Sequence, residues 1–162
     1  NASLESGHRP DTTLNGPGLR NHSGHLMGTT AAADIATIAR IDAVPSILQV
    51  ICETTGLRFA AVARVTENAW TTCAVLDNIG LGLEVGDGLD VTTTLCQEIR
   101  TSHQTVIIDK VSEDEVYCNH PTPRLYRFES YIATPVFRAD GSFFGTICAL
   151  DPRPTRLRGT II

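Results

Sequence analysis

Glu129-Ser-Tyr-Ile-Ala-Thr-Pro-Val-Phe-Arg-Ala-Asp-Gly-Ser-Phe-Phe-Gly-Thr-Ile-Cys-Ala-Leu-Asp-Pro152 decides the fold of this chain. Two apolar runs, Tyr131 to Phe137 and Phe143 to Leu150, flank the polar group Ala139-Asp140-Gly141-Ser142. Runs rich in β-branched and aromatic residues joined by a short turn, with Asp-Gly supplying a position that tolerates positive φ, predict a β-hairpin. Neither run alternates cleanly. In Phe143 to Leu150 both faces are apolar or small, which predicts a strand covered on both sides. A hairpin so placed needs helices behind it and a cover in front.

Working outward, Thr105 to Asp109 is a further strand. Arg58 to Thr66 and Ala69 to Leu76 are two more, joined by Glu67-Asn68. Phe59, Ala61, Ala63 and Val65 share one face, and their small side chains admit a closely packed helix. Trp70 and Cys73 read as sheet packing. Asp34 to Thr55 has helical spacing, with one stripe at Ile35, Ile38 and Ile41 and a second at Ile47, Leu48, Ile51 and Cys52. Pro45 divides it into two helices, the second opening near the proline and ending at Gly56. Asn78 to Asp90 holds four glycines but no P-loop lysine and no GxGxxG, so it reads as a flexible loop with a minor strand rather than a phosphate cradle. Thr94 and Gln97 are spaced as a capping box opening a short helix to about Ser102, with Leu95 and Ile99 facing inward.

Composition is that of a globular protein. The net charge of −5 gives no footprint for nucleic acid. No apolar run approaches a bilayer span and no secretory segment is recognisable, so no membrane partner is expected. The five cysteines, at 52, 73, 96, 118 and 148, are odd in number, widely spaced and without CxxC, which predicts reduced thiols and a cytoplasmic location. Residues 1–28 lack any apolar period and read as a flexible tail, with Met27 as the native start and residues 1–26 vector-derived. Residues 29–154 form the domain, and 155–162 read as a linker or remnant.

Leu95-Cys96-Gln-Glu-Ile, Val106-Ile-Ile-Asp109, Pro123-Arg-Leu-Tyr126, Tyr131-Ile-Ala-Thr-Pro135 and Asp140-Gly-Ser-Phe-Phe-Gly-Thr-Ile-Cys-Ala-Leu-Asp-Pro152 together resemble a GAF domain. The resemblance is to those at the front of bacterial sensor histidine kinases, and it runs from about Ile35 to Pro154. It implies an α+β fold. A central antiparallel sheet of five or six strands would carry helices on one face, with short helices and loops covering a pocket on the other. It also implies a regulatory sensory domain that binds a small molecule, dimerises through terminal helices and signals to a covalently linked output module. No kinase motif stands in this chain, so the expectation is a non-catalytic domain, and the resemblance leaves the cofactor or ligand unidentified.

The connection from Lys110 to Phe128 concentrates functional side chains and leads straight into the hairpin, which is where binding residues tend to lie. Its acidic run Glu113-Asp114-Glu115 reads as a solvated face. Tyr117, Cys118, His120, Arg124 and Tyr126 are candidate ligand-binding residues, converging with Tyr131 and Thr134 of the strand. The plain-packing alternative makes the two tyrosines core and leaves His120 and Arg124 solvated or capping a helix.

Three rivals are distinguishable. A bilin photoreceptor of phytochrome type attaches pigment through a cysteine followed by histidine, whereas here Cys118 and His120 are separated by Asn119 and no Asp-Ile-Pro is present. A methionine-sulfoxide reductase of this fold needs an accessible low-pKa thiolate, for which Cys118 is the loop candidate while Cys52, Cys73, Cys96 and Cys148 read as inert apolar filler. A ligand-free dimerisation and relay module would have a filled interior. No metal is expected, because Cys118 and His120 lack a second ligand pair at zinc spacing.

Overall fold

The computed structural model describes residues 29–159. The expected flexible tail 1–28, with Met27 as native start, and residues 160–162 lie outside the described residues. Two helices open the fold, α1 (Thr29–Ala39) and α2 (Ala43–Thr55), at a bend of 76°. Pro45 falls in the first turn of α2, where its missing N–H costs no intrahelical bond. Gly56 ends α2 in the left-handed region at φ +79°, its N–H bonded to the Cys52 carbonyl at 2.9 Å. Among the described residues, no single helix is long and apolar enough to cross a membrane.

Six strands follow: β1 (Phe59–Val65), β2 (Trp70–Asp77), β3 (Gly88–Leu89), β4 (Val106–Ile108), β5 (Ser130–Phe137) and β6 (Phe143–Asp151). They form one antiparallel sheet in the order β3-β2-β1-β6-β5-β4. The quoted hairpin is therefore central, with β6 between β1 and β5. Its turn is closed by Arg138 N–H to the Ser142 carbonyl at 2.7 Å. Gly141 sits at φ +86°, and the Asp140 carboxylate accepts from the Ser142 amide at 2.9 Å and hydroxyl at 2.6 Å.

The irregular alternation has a structural cause. Pairing runs Val136↔Gly145 and then Phe137↔Phe143, so Phe144 is an extra residue in a β-bulge. The bulge turns Phe143 to the front of the sheet and Phe144 to the back. A second bulge, opposite Val62 and Ala63, leaves Cys73 unpaired in β2 and on the back cluster, while Trp70 faces front.

The back is covered by α1 and α2, which pack on β1 and β2. Ile35 and Ile38 of α1 face the sheet, but Ile41 is 44% exposed. On α2 the inward residues are Val44, Leu48, Ile51 and Cys52. Ile47, expected in that stripe, is exposed instead, because the helix meets the sheet along the Val44–Leu48 ridge.

The front is covered by α3 (Cys96–Ser102) and α4 (Pro121–Tyr126), with short 3₁₀ turns at Val91–Thr93 and Val111–Glu113. The alanine face of β1 lies in this front core with Leu95 and Ile99. The expected capping box does not form. Thr94 instead donates back to the Val91 carbonyl at 2.8 Å and closes the preceding turn, which Asp90 caps through the Thr92 amide at 3.0 Å. The Gln97 side-chain oxygen is left without a hydrogen-bond partner.

Residues 155–158, expected to be a linker, are part of the packed unit. Leu157 is fully buried, and the Asp109 carboxylate accepts from the Leu157 and Arg158 amides at 2.9 and 3.1 Å.

Candidate functional site

The front layer does not close completely on the sheet. Between them lies a void of about 40 Å³, walled by Phe59, Trp70, Leu81, Leu83, Leu89, Leu95, Phe128 and Leu150. Cys96, Tyr131 and Cys148 also line it, with Thr94, Thr122 and Tyr126 toward the cover. A cavity of that size holds one to a few waters, against roughly 300–1,000 Å³ for drug-sized ligands.

Polar groups converge on one side of the void. The Cys96 sulfur lies 3.2 Å from the Thr146 hydroxyl and 3.6 Å from the Tyr131 hydroxyl. Cys148 and Trp70 line the same void. Cys96 and Cys148 are both buried. The Cys148 thiol, with the other donors, pulls Cys96 below the ordinary thiol range against the opposing effect of burial. Cys148 moves the other way, raised by its hydrogen bond to Cys96 and by burial. Burial, and then negative charge at Cys96, pushes the Tyr131 phenol up, so that it stays a neutral hydroxyl.

The cover is built on α4. His120 caps it, Nδ1 accepting from the Thr122 amide at 3.2 Å, and Pro121 supplies a preset first turn. Arg127 ends it in the left-handed region at φ +56°. Thr122 donates to the Thr93 carbonyl at 2.9 Å, and the Tyr126 hydroxyl is hydrogen-bonded to that of Thr93. The approach to α4 is tied to α3 at Glu98, which accepts from the Tyr117 hydroxyl at 3.0 Å and lies 3.3 Å from His120 Nε2. Burial and the Glu98 carboxylate push the Tyr117 phenol up to about 12.

Of the seven candidate residues, the structure brings Tyr126 and Tyr131 to the void. Tyr117 and His120 stand outside it as ties between the cover and α3. Cys118 and Arg124 line a shallow outer groove with Arg127 and Glu129. Thr134 is a correction. It pairs with Ile147 and lies on the back of the sheet, three residues from Tyr131 and so on the opposite face of the strand. The expected convergence of all seven therefore does not occur. Glu113 and Glu115 of the acidic run are exposed as expected, whereas Asp114 is half-buried. The Asp114 carboxylate accepts from the Val116 and Tyr117 amides at 2.9 and 3.0 Å and shapes the loop.

The residues missed were Cys96, Thr146 and Cys148. Their signal was present: Thr146 and Cys148 alternate on one face of a strand whose neighbours on that face are apolar. The glycine run offers no anion cradle, because the Asp77 carboxylate already occupies its amides, accepting from Ile79, Leu81 and Gly82 at 3.1, 3.1 and 2.8 Å. No cluster of three or more His, Cys, Asp or Glu side chains able to hold a metal occurs among the described residues.

Residues 39–160 match the family model of the GAF domain. No curated protein matches the chain. Among solved structures, the chromophore binding domain of Stigmatella aurantiaca phytochrome P1 superposes with a TM-score of 0.57 at 10% identity, over 85% of this chain and 56% of that one. The blue-light absorbing form of the Thermosynechococcus elongatus PixJ GAF-domain gives 0.53 at 13%, over 81% and 77%. A putative GAF sensor protein from Burkholderia vietnamiensis gives 0.51 at 15%, over 80% and 79%. This chain thus spans about half the length of the Stigmatella chain, and at these identities the likeness is one of fold.

Proposed function

Starting from a chain that belongs to the GAF domain family, we propose that it is a regulatory sensory domain whose ligand enters beneath α4. It relays the change to an output module, a histidine kinase or another, joined to it in a longer protein, and it works in the cytoplasm without catalysing turnover itself. One observation carries this reading: an apolar void with polar groups gathered on one side, under a cover held by a few hydrogen bonds. That is the form of a small-molecule site. Anything larger than a few waters must displace part of the cover, to which α4 contributes Thr122 and Tyr126, so a ligand that prefers the displaced cover shifts the population toward it.

A bilin is disfavoured. Two of the structural neighbours are chromophore-binding or light-absorbing domains by name, but here Cys118 lines the outer groove and the void is far smaller than a pigment. The second reading is a relay without a ligand, favoured by the same small void. In either case we propose a homodimer through the terminal helices, where Ile41, Ile47 and Val50 are exposed.

Thermal melting across a metabolite panel separates the two readings, since a ligand at 100 times its Kd stabilises by about 2.7 kcal/mol. The sensor reading expects a rise that Leu89→Phe, which fills the void, abolishes. No rise with any metabolite, or a rise that survives in Leu89→Phe, rejects a metabolite in this void.

A further inference from the structure

We propose that Cys96 and Cys148 form a peroxide-reactive dithiol, in which Cys96 is the attacking sulfur, Cys148 the resolving one, and hydrogen peroxide or a comparably small hydroperoxide the molecule admitted to the void. The inference deepens the sensor reading and rests on it in that the same void receives the small molecule.

Three observations point there. Cys96 and Cys148 both line one void and lie in the same front core, and the Cys96 sulfur is hydrogen-bonded to Thr146, two residues from Cys148 along β6. Two hydroxyls, those of Thr146 at 3.2 Å and Tyr131 at 3.6 Å, face the Cys96 sulfur, and no cation is among its partners. An anionic sulfur in an apolar interior needs such donors, and the direction of the Cys96 and Cys148 shifts agrees. The void, finally, has room for one to a few waters, which suits a peroxide and excludes most metabolites without movement of the cover.

The chemistry balances. The Cys96 thiolate attacks the nearer peroxide oxygen, the O–O bond breaks, and Cys96 becomes a sulfenic acid as hydroxide leaves and takes up a proton to give water. The Cys148 sulfur then attacks the Cys96 sulfur. The S–O bond breaks, the Cys148 proton leaves with the oxygen as a second water, and a disulfide joins α3 to β6. Two thiols are oxidised by two electrons and one peroxide is reduced to two waters. An external dithiol restores the starting state by exchange.

The contrast with the other cysteines is built in. Burial raises the Cys73 and Cys52 thiols, so neither offers a ready thiolate. Cys118 lies in the outer groove and has no second thiol beside it in that groove.

The test treats the chain as it stands with hydrogen peroxide, quenches with an alkylating agent and maps each cysteine by peptide mass. The expected product is a Cys96–Cys148 crosslink, ~2 Da lighter than the two free thiols, lost on adding dithiothreitol. Cys96 should react ~10-fold or more faster than Cys73 and Cys52, with a rate that rises through a midpoint below the ordinary thiol value of ~8.5. Cys148→Ser should stop at a sulfenic acid on Cys96 that dimedone traps, with its circular dichroism and melting checked against wild type. Wild-type mapping alone decides the matter if that variant fails to fold. Oxidation first at Cys118, or Cys96 still alkylated after the other cysteines have reacted, overturns the proposal. A crosslink in a protein that shows no metabolite-induced melting shift supports the peroxide site and removes only the metabolite reading. A metabolite shift with Cys96 unreactive overturns the peroxide site and leaves the metabolite reading in place.

Discussion

At the scale of single residues, Gly145 and Asp151 carry constraints that their neighbours do not. A Cβ built on Gly145 would lie 1.8 Å from the Ala63 carbonyl oxygen and 2.9 Å from its carbon, backbone atoms that cannot move without parting β6 from β1. Gly145→Ala is therefore expected to cost more than about 3 kcal/mol in urea unfolding, far beyond the ~1 kcal/mol scale of intrinsic strand preference. Asp151 is fully buried and accepts four hydrogen bonds: from the Arg58 side chain at 2.7 and 2.9 Å, from the Arg58 amide at 3.1 Å and from the Arg153 amide at 2.8 Å. Burial alone would raise its pKa, but these donors outweigh burial and hold it at about 2. A depressed carboxylate stabilises the fold above its unfolded value of 3.8 and loses that contribution as pH falls through about 2. Asp151→Asn should cost about 2 kcal/mol at neutral pH, less than a wholly enclosed pair because the Arg58 side chain is 39% exposed. The gap between wild type and variant should narrow as melts are repeated from pH 4 toward 2; a gap independent of pH would contradict the assignment.

Among the elements, α4 is the one whose attachments can be counted and cut. Tyr126→Phe removes the bond to Thr93 and leaves the ring in place, so opening of the cover should become easier by about 1 kcal/mol. Amide exchange in residues 121–126 should accelerate ~5-fold while α1 and α2 are unchanged. Arg127→Gly relieves a non-glycine residue at φ +56° and should raise global stability by about 0.5–1 kcal/mol.

How much of these elements could be read in advance depended on period. The hairpin, the paired N-terminal helices and the inward Leu95 and Ile99 were legible because strand and helix spacing select a face. The bulge at Phe144 was not, because an extra residue in a ladder leaves no mark except broken alternation. Thr134 was placed wrongly although parity with Tyr131 already assigned it to the back. Tyr117 and His120 could not be phased, since turns have no period, and Arg124 lies in a helix of six residues, too short for a stripe to show.

For the whole molecule, the helical layer covers only part of the back of the sheet. Beyond α2 a groove of about 260 Å³ runs along Val50, Ile51, Ile132, Thr134 and Ile147. Val50 is 57% exposed and Ile47 43%, on the same helix. If the proposed homodimer uses this side, Val50→Glu should convert dimer to monomer in sedimentation equilibrium with an unchanged circular dichroism spectrum. An unchanged mass would move the interface elsewhere.

The sheet is a single backbone thick, and this has a mechanical consequence. Tyr131 and Cys148, which border the void, alternate along their strands with Ile132, Ile147 and Ala149, so each has a covalent neighbour looking out on the helical side. No chain of intermediaries is required for news of the interior to reach α2. A crosslink or guest that bows β5 and β6 by a fraction of an ångström acts like a thumb on a drumskin, and the helices resting on the far surface are the first to feel it.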